Sequence, residues 1–408
     1  MNLFGKLFKG DKVIWCIFLA LCVVSLLEVF SATSTIAYRQ QNHWAPILRH
    51  ATFLLIGFAG VLFLQRVPSR FYSILLLGLP ISIILLVITM FLGTDVNGAS
   101  RWLGVGSFTI QPSEFAKISL VGFIAFFLSK MKPNNESWIF KTLIIGIAVT
   151  CLLIAPENLS TACLLFGVCF LLMFIGQVSM KRLGKIVLVC GAGALLLVGS
   201  LTLLPDTFVK KYLPGRLATW QARIDRHSNE ASETEINEDG TTTYKITDEN
   251  YQVSHAKIAI ANGGIIGLPG SGIERDFLPQ AYSDFIFAII LEEMGLIGGL
   301  FVLLLYVAIM VRCGILASKC EKKFQRYLIL GCGLILTVQA LANIAVAVNL
   351  IPVTGQPLPL ISRGGTSTII TCAYFGIILA CSSKLNNEEH EDVDESIANV
   401  DFESIAEE

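Results

Sequence analysis

The chain has 408 residues, 54% hydrophobic and 15% charged, with a formal net charge of −1. A soluble domain carries about 25% charged residues, so the composition excludes an ordinary soluble fold. The near-zero charge excludes a basic nucleic-acid-binding surface, and the chain reads as an integral membrane protein.

A bilayer-spanning helix needs about 20 apolar residues. Ten stretches meet or nearly meet that length: 12–32, 47–66, 71–92, 113–130, 139–155, 160–178, 184–204, 284–316, 326–351 and 365–383. The first is too long for the apolar core of a cleaved signal and reads as a signal anchor. The fifth and sixth are separated only by Pro156-Glu157-Asn158-Leu159, read here as a tight hairpin rather than one broken segment. The expected fold is an all-α polytopic membrane protein of about ten spans. Residues 1–11 precede a membrane domain over 12–384, which carries a large loop over 205–283. An acidic tail over 385–408 reads as disordered, or as a docking peptide.

Lys and Arg concentrate on the cytoplasmic side of membrane proteins. Lys6, Lys9 and Lys12, Arg66 and Arg70, Lys130 and Lys132, Lys181, Arg182 and Lys185, and the run from Arg312 to Arg326 all fall on one side if both termini are cytoplasmic. Arg39 and Arg49 run against this assignment. The opposite face then receives the loops 93–112, 156–159, 205–283 and 352–364. In the longest, the polar stretch around Gly240 reads as mobile or as a small hairpin, and Tyr251 to Pro279 reads as a packed surface cap. Nearly all the cysteines lie inside apolar runs without CxxC or Cys/His spacing, as small buried apolar residues would.

Four constellations carry chemistry. Pro112 suits a first helical turn, with Ser113 as a nearby cap. Glu114 and Lys117 share a helix face at spacing three. They are either a self-neutralising packing pair or the polar wall of a headgroup cavity. Arg101 beside Trp102 is a phosphate donor next to an interfacial aromatic, or the pair is only an interfacial anchor. Asp284 opens the eighth span, where an ionisable group is costly and marks a functional site by default; the plainer reading is a helix cap. Glu292 and Glu293, deeper in that span, read as helix–helix hydrogen-bonding groups. The loop 352–364 enters a helix at Gly364-Gly365 behind Ser362-Arg363, either a structural re-entrant turn or an anion site on free backbone N–H groups. No Walker A, Ser/His/Asp or HExxH pattern occurs. Of the five histidines none falls in the core of a span.

Three runs, NGASRWLGVGSFTIQPSEFAK, DFLPQAYSDFIFAIILEEMGLIGG and PVTGQPLPLISRGGTS, together resemble the SEDS family (shape, elongation, division, sporulation; FtsW/RodA type) across all ten spans. The wording leans to the division (FtsW) type over the elongation (RodA) type. Three motifs depart from the family's usual form. PEAHTDF reads PQAYSDF, so Gln280 and Tyr282 replace an acid and a histidine. PDxGT is altered at Pro156-Glu157-Asn158. SYGGSS reads SRGGTS, with Arg363 in place of Tyr.

The resemblance implies a peptidoglycan glycosyltransferase that polymerises lipid II on the outer face of the inner membrane. It implies a class B penicillin-binding protein as partner, other division membrane proteins, and a place at the septum. It places the family's essential aspartate on Asp284. Substrate-binding positions fall on Arg101, Glu114, Lys117, Arg216, Ser362, Arg363, Gly364 and Gly365. Asp284 would take a proton from the acceptor hydroxyl while Arg101, Lys117, Arg216 or Arg363 holds the leaving diphosphate. No cofactor is evident; a divalent cation is compatible with the chain but not specified by it. A lipid II flippase and a non-catalytic scaffold are the rival classes, and an elongation-type polymerase is the rival within the family. The clustering of polar motifs on one side favours catalysis over transport.

Overall fold

The computed structural model describes residues 7–32, 44–96, 99–105, 108–203, 234–236, 242–244, 246–247, 250–270, 272–278 and 281–383. Helices stand at all ten expected places: α1 Lys12–Ala32, α2 Ala45–Leu64, α3 Leu75–Leu92, α4 Pro112–Ser129, α5 Glu136–Ile154, α6 Leu159–Ile175, α7 Met180–Leu203, α9 Ile286–Lys319, α10 Lys323–Ala347 and α11 Gly365–Ser383. The additional α8, Tyr251–Gly263, lies in the long loop. Among the described residues eight helices are long and apolar enough to cross a bilayer, and α6 is apolar but shorter. The protein is therefore a polytopic helical membrane protein.

Local signals set the helix ends. Asp11 Oδ1 accepts the Ile14 N–H at 3.0 Å and caps α1. Pro112 occupies the first turn of α4, where its missing N–H costs nothing. The cap position there is Gln111, not Ser113, and the Gln111 amide donates to Ser113 Oγ at 3.1 Å. Asn158 Oδ1 accepts the Thr161 N–H at 3.2 Å and starts α6. The turn from Pro156 to Asn158 is thus the tight hairpin expected between α5 and α6.

The loop 93–112, named only as a loop from the sequence, carries strands of its own. It forms an antiparallel sheet of β1 Thr94–Val96, β2 Ala99–Val105 and β3 Phe108–Ile110 in that order. In the sequence, Asn97-Gly98 between the first two strands is a strong hairpin signal. In the long loop, β4 Thr234–Ile236 and β5 Thr242–Tyr244 pair antiparallel across the segment holding Gly240.

Packing divides the bundle into a centre and a rim. The apolar stretches of α4, α10 and α11 are 72% enclosed by protein, those of α2 and α3 only 22%. Chemistry-bearing residues on the central helices therefore face other protein, while the rim helices present apolar side chains such as Phe63, Ile81 and Phe91 outward, as lipid contact requires.

Candidate active site

The loop 352–364 does not lie on the surface. Leu358, Leu360, Ile361 and Ser362 are all buried. A loop buried in this way must have its backbone polar groups satisfied by protein. Side chains from several helices do this. Ser25 of α1 donates to the Leu360 carbonyl at 2.7 Å. Tyr306 of α9 donates to the Pro359 carbonyl at 2.5 Å. Gln339 of α10 donates to the Pro357 carbonyl at 3.0 Å. One turn further along the same face, Asn343 donates to the Gln356 carbonyl at 2.8 Å. Gln356 in turn donates to Thr161 Oγ1 of α6 at 2.7 Å.

This loop holds the segment that bears Asp284. The two Asn343 amide hydrogens divide between the Gln356 carbonyl and the Asp284 carbonyl, each at 2.8 Å. Ser362 Oγ donates to the Ser283 carbonyl at 2.6 Å and accepts the Leu358 N–H at 2.7 Å. The Arg363 N–H donates to the Tyr282 carbonyl at 2.9 Å, and the Arg363 guanidinium sits 5.2 Å from the centre of the Tyr282 ring. Gly355, in the left-handed region at φ +67°, faces the carboxylate: a Cβ there would stand 3.6 Å from Asp284 Oδ2. Two motifs far apart in sequence are thereby laced side by side.

Asp284 is half-buried, and its Oδ1 accepts the Ser283 hydroxyl at 2.9 Å. It does not cap α9, whose N-cap position is Phe285 without a side-chain cap bond. The plain reading of Asp284 as a helix cap is therefore not what the structure contains. The start of α11 at Gly365 lies immediately beyond Arg363. The arrangement juxtaposes a carboxylate with a helix N-terminus and a guanidinium, which together suit an anion.

Glu114 and Lys117 form an ion pair at 2.7 Å, with the Lys117 side chain fully enclosed. Lys117 Nζ also donates to Gln339 Oε1 at 2.9 Å, so the pair joins the Asp284 network through Gln339. Beside Ser113 a small cleft of about 20 Å³ opens between Leu86 and Met90 on one side and Glu157 and Asn158 on the other. Asn158 links this cleft, through Thr161 and Gln356, to the loop around Asp284.

Arg101 lies in β2, one residue before Trp102, which pairs with Thr94; its side chain lies outside the described residues, as does all of Arg216. Gly364 and Gly365 form the entry to α11, and Thr368 Oγ1 donates to the Gly364 carbonyl.

Sequence reasoning passed over Ser25, His50, Thr161, Gln339, Asn343 and Gln356. A signal existed for Gln339 and Asn343: polar groups one turn apart inside an apolar span face protein by default. The statement that no histidine falls in a span core is corrected. His50 stands near the start of the expected stretch 47–66 and lies inside α2 at 2% exposure, facing protein. Ser25 gives its hydroxyl hydrogen to a carbonyl, so His50 Nε2, 2.8 Å away, must be the donor to Ser25 Oγ.

Comparison with known proteins agrees with this architecture. The FTSW_RODA_SPOVE family, described as "Cell cycle protein", matches residues 11–387. A protein of Pseudomonas fluorescens named probable peptidoglycan glycosyltransferase FtsW is 30% identical over 374 residues, covering 88% of this chain and 85% of its own. A chain of a peptidoglycan synthase complex superposes with a TM-score of 0.69 at 21% identity, over 92% of this chain and 98% of that chain. The Thermus thermophilus rod shape determining protein RodA superposes with a TM-score of 0.63 at 21% identity, over 91% and 96%. At those identities the superpositions establish the fold. The match over nearly the whole chain establishes more: the chain belongs to the FtsW/RodA/SpoVE family of cell cycle proteins, the SEDS family.

Proposed function

We propose that this protein is a peptidoglycan glycosyltransferase that polymerises lipid II, with Asp284 as general base. The observation that carries the reading is the lacing of Tyr282-Ser283-Asp284 against Ser362-Arg363 at the start of α11. Glycosyl transfer needs a base on the acceptor hydroxyl and stabilisation of the departing charge, and these two segments supply one each. The curated relative named as such a transferase supports the same reaction.

In the proposed step, Asp284 takes the proton of the sugar 4-hydroxyl on the acceptor. The freed oxygen pair bonds to the anomeric carbon of the donor from the face opposite the diphosphate. The bond from that carbon to the diphosphate oxygen breaks, and its electron pair leaves on undecaprenyl diphosphate. One displacement inverts the anomeric centre. Arg363 and the α11 N-terminus hold the diphosphate, with the sugar-peptide headgroup lying over the polar surface near Ser113 and Asn158. Glu114 and Lys117 keep the wall behind it polar and neutral. Arg101 and Arg216 are further candidates for the phosphates.

The charge distribution supports placing both termini in the cytoplasm and Asp284 at the outer face of the inner membrane. A synthase complex containing a chain of this fold supports a transpeptidase partner, here a class B penicillin-binding protein. The wording of the terminal-loop motif supports septal, division-type synthesis.

The test is polymerisation of fluorescent lipid II by purified protein with its cognate transpeptidase. Wild type should yield long glycan and Asp284→Ala none, with both proteins equally abundant in the membrane. Wild-type-like glycan from Asp284→Ala would overturn the assignment of the base. Absence of glycan from the wild-type complex, together with lipid II movement across vesicles, would move the protein to the flippase class.

A further inference from the structure

The polar groups deeper in α9 belong to neither the anion site nor the cleft. Helix α9 is broken at Gly295, whose φ of +69° and ψ of −173° are reached essentially by glycine alone. The first piece, Ile286 to Met294, follows directly on Asp284. The segment after α8 folds back against the break. The Leu296 and Ile297 N–H groups donate to the Gly264 and Ile265 carbonyls at 3.0 and 3.2 Å. Gly267 and Gly295 approach so closely that a Cβ on either would collide with the backbone nitrogen of the other.

Two carboxylates close the base of this fold. Glu292 Oε1 accepts the N–H groups of Ile273 and Glu274 at 2.9 and 3.1 Å. Glu293 Oε2 accepts the Gly270 N–H at 3.2 Å. Glu293 Oε1 takes the Arg275 guanidinium at 3.0 Å and the Ser31 hydroxyl of α1. Glu292 and Glu293 are 5% and 3% exposed. The chain between these contacts leaves the base near Gly270, passes through Asp284 and returns to it at Glu293. Asp284 therefore lies in the stretch of chain between contacts in which backbone N–H groups donate to two buried carboxylates.

We propose that Glu292 is a positioning residue for Asp284, acting as a two-fold acceptor that fixes the 272–278 segment against the first piece of α9. The proposal rests on the reading of Asp284 as the base. A base must stand within hydrogen-bond reach of the proton it takes, and a misplacement of about 1 Å can cost on the order of 100-fold in rate. Both ends of the tie belong to the stretch of chain that carries Asp284, so the Glu292 side chain acts on the Asp284 position together with the bonds from Ser362 and Asn343.

The test uses the full chain with its transpeptidase partner and measures kcat and KM for fluorescent lipid II. Glu292→Ala should lower kcat by about 100-fold with KM within about twofold. Glu292→Gln, which keeps an acceptor oxygen and drops the charge, should recover most of that loss. Glu292→Asp, which keeps acceptor and charge but shortens the tie by one methylene, should lower kcat by about tenfold or more at unchanged thermal stability. That variant decides the matter where Glu292→Ala does not fold. Wild-type kcat in Glu292→Asp would overturn the proposal, as would a loss in Glu292→Gln equal to that in Glu292→Ala. Asp284→Ala, run alongside, separates the two readings. If it is inactive while Glu292→Asp equals wild type, positioning alone fails; if it is active, the reading of the base fails first.

Discussion

With its side chain fully enclosed, the Lys117 ammonium depends on Glu114 and Gln339 for its solvation. Removing one partner of a buried ion pair leaves an uncompensated charge and costs about 3–5 kcal/mol, whereas replacing both by apolar groups is often near neutral. Lys117→Met should therefore destabilise the protein by about 3 kcal/mol, read as a lowered unfolding temperature in detergent. Lys117→Met combined with Glu114→Leu should lose much less. Equal losses would mean that the pair is not dry. The pairing itself was legible from the i, i+3 spacing. The bond to Gln339 was not, because nothing in a single sequence says which span packs against α4. Asp284 was legible for the same reason that Lys117 is sensitive: a charge at membrane depth is costly unless it has a role.

At the scale of elements, backbone breaks place the site more than helices do. The ten helical runs could be read from hydrophobic length alone. The break in α9 could not: Gly295 sits in an apolar stretch with Gly298 and Gly299 close by, and hydropathy does not distinguish a hinge from a packing glycine. The three-strand sheet over 94–110 also escaped: its strands of three to seven residues carry little alternation, and the hairpin signal at Asn97-Gly98 was passed over. Gly295→Ala tests the break directly. It should destabilise the protein by about 2–3 kcal/mol through its disallowed backbone angles, with the collision against Gly267 adding to the loss. Gly314→Ala, with open space around its Cβ position and a helical setting, should instead be neutral or slightly stabilising. Thermal unfolding of the two variants gives the comparison, and a Gly295→Ala protein as stable as wild type would show that α9 tolerates a continuous helix.

Across the whole molecule, an ion pair at the end opposite the site ties α1 to α9. Asp11 caps α1 and takes Arg312 of α9 in two bonds, Nε to Oδ1 at 3.0 Å and Nη2 to Oδ2 at 2.5 Å. Burial raises the Asp11 pKa, but the Arg312 hydrogen bonds and charge and the Ile14 N–H outweigh it and hold the carboxyl below its ordinary value. A carboxyl depressed in the folded state contributes stability above its unfolded pKa, near 3.9. That contribution is lost as pH falls through the folded value. Asp11→Asn should thus lower stability at neutral pH and flatten the decline below about pH 4. Unfolding temperatures of the two proteins across pH 3 to 7 measure this; parallel curves would remove Asp11 from the acid response.

The lacing of Ser362 to Ser283 spans 79 residues of chain, and that separation bears on biogenesis. Asp284 enters the membrane well before the loop that holds its backbone has been synthesised. Until α10, the loop 352–364 and α11 have followed, the Asn343, Gln356 and Ser362 contacts do not exist. A nascent chain arrested short of Pro352 would carry every helix up to α10 and the carboxylate itself, yet have no assembled site. Assembly of the site therefore waits for the loop 352–364 and the start of α11.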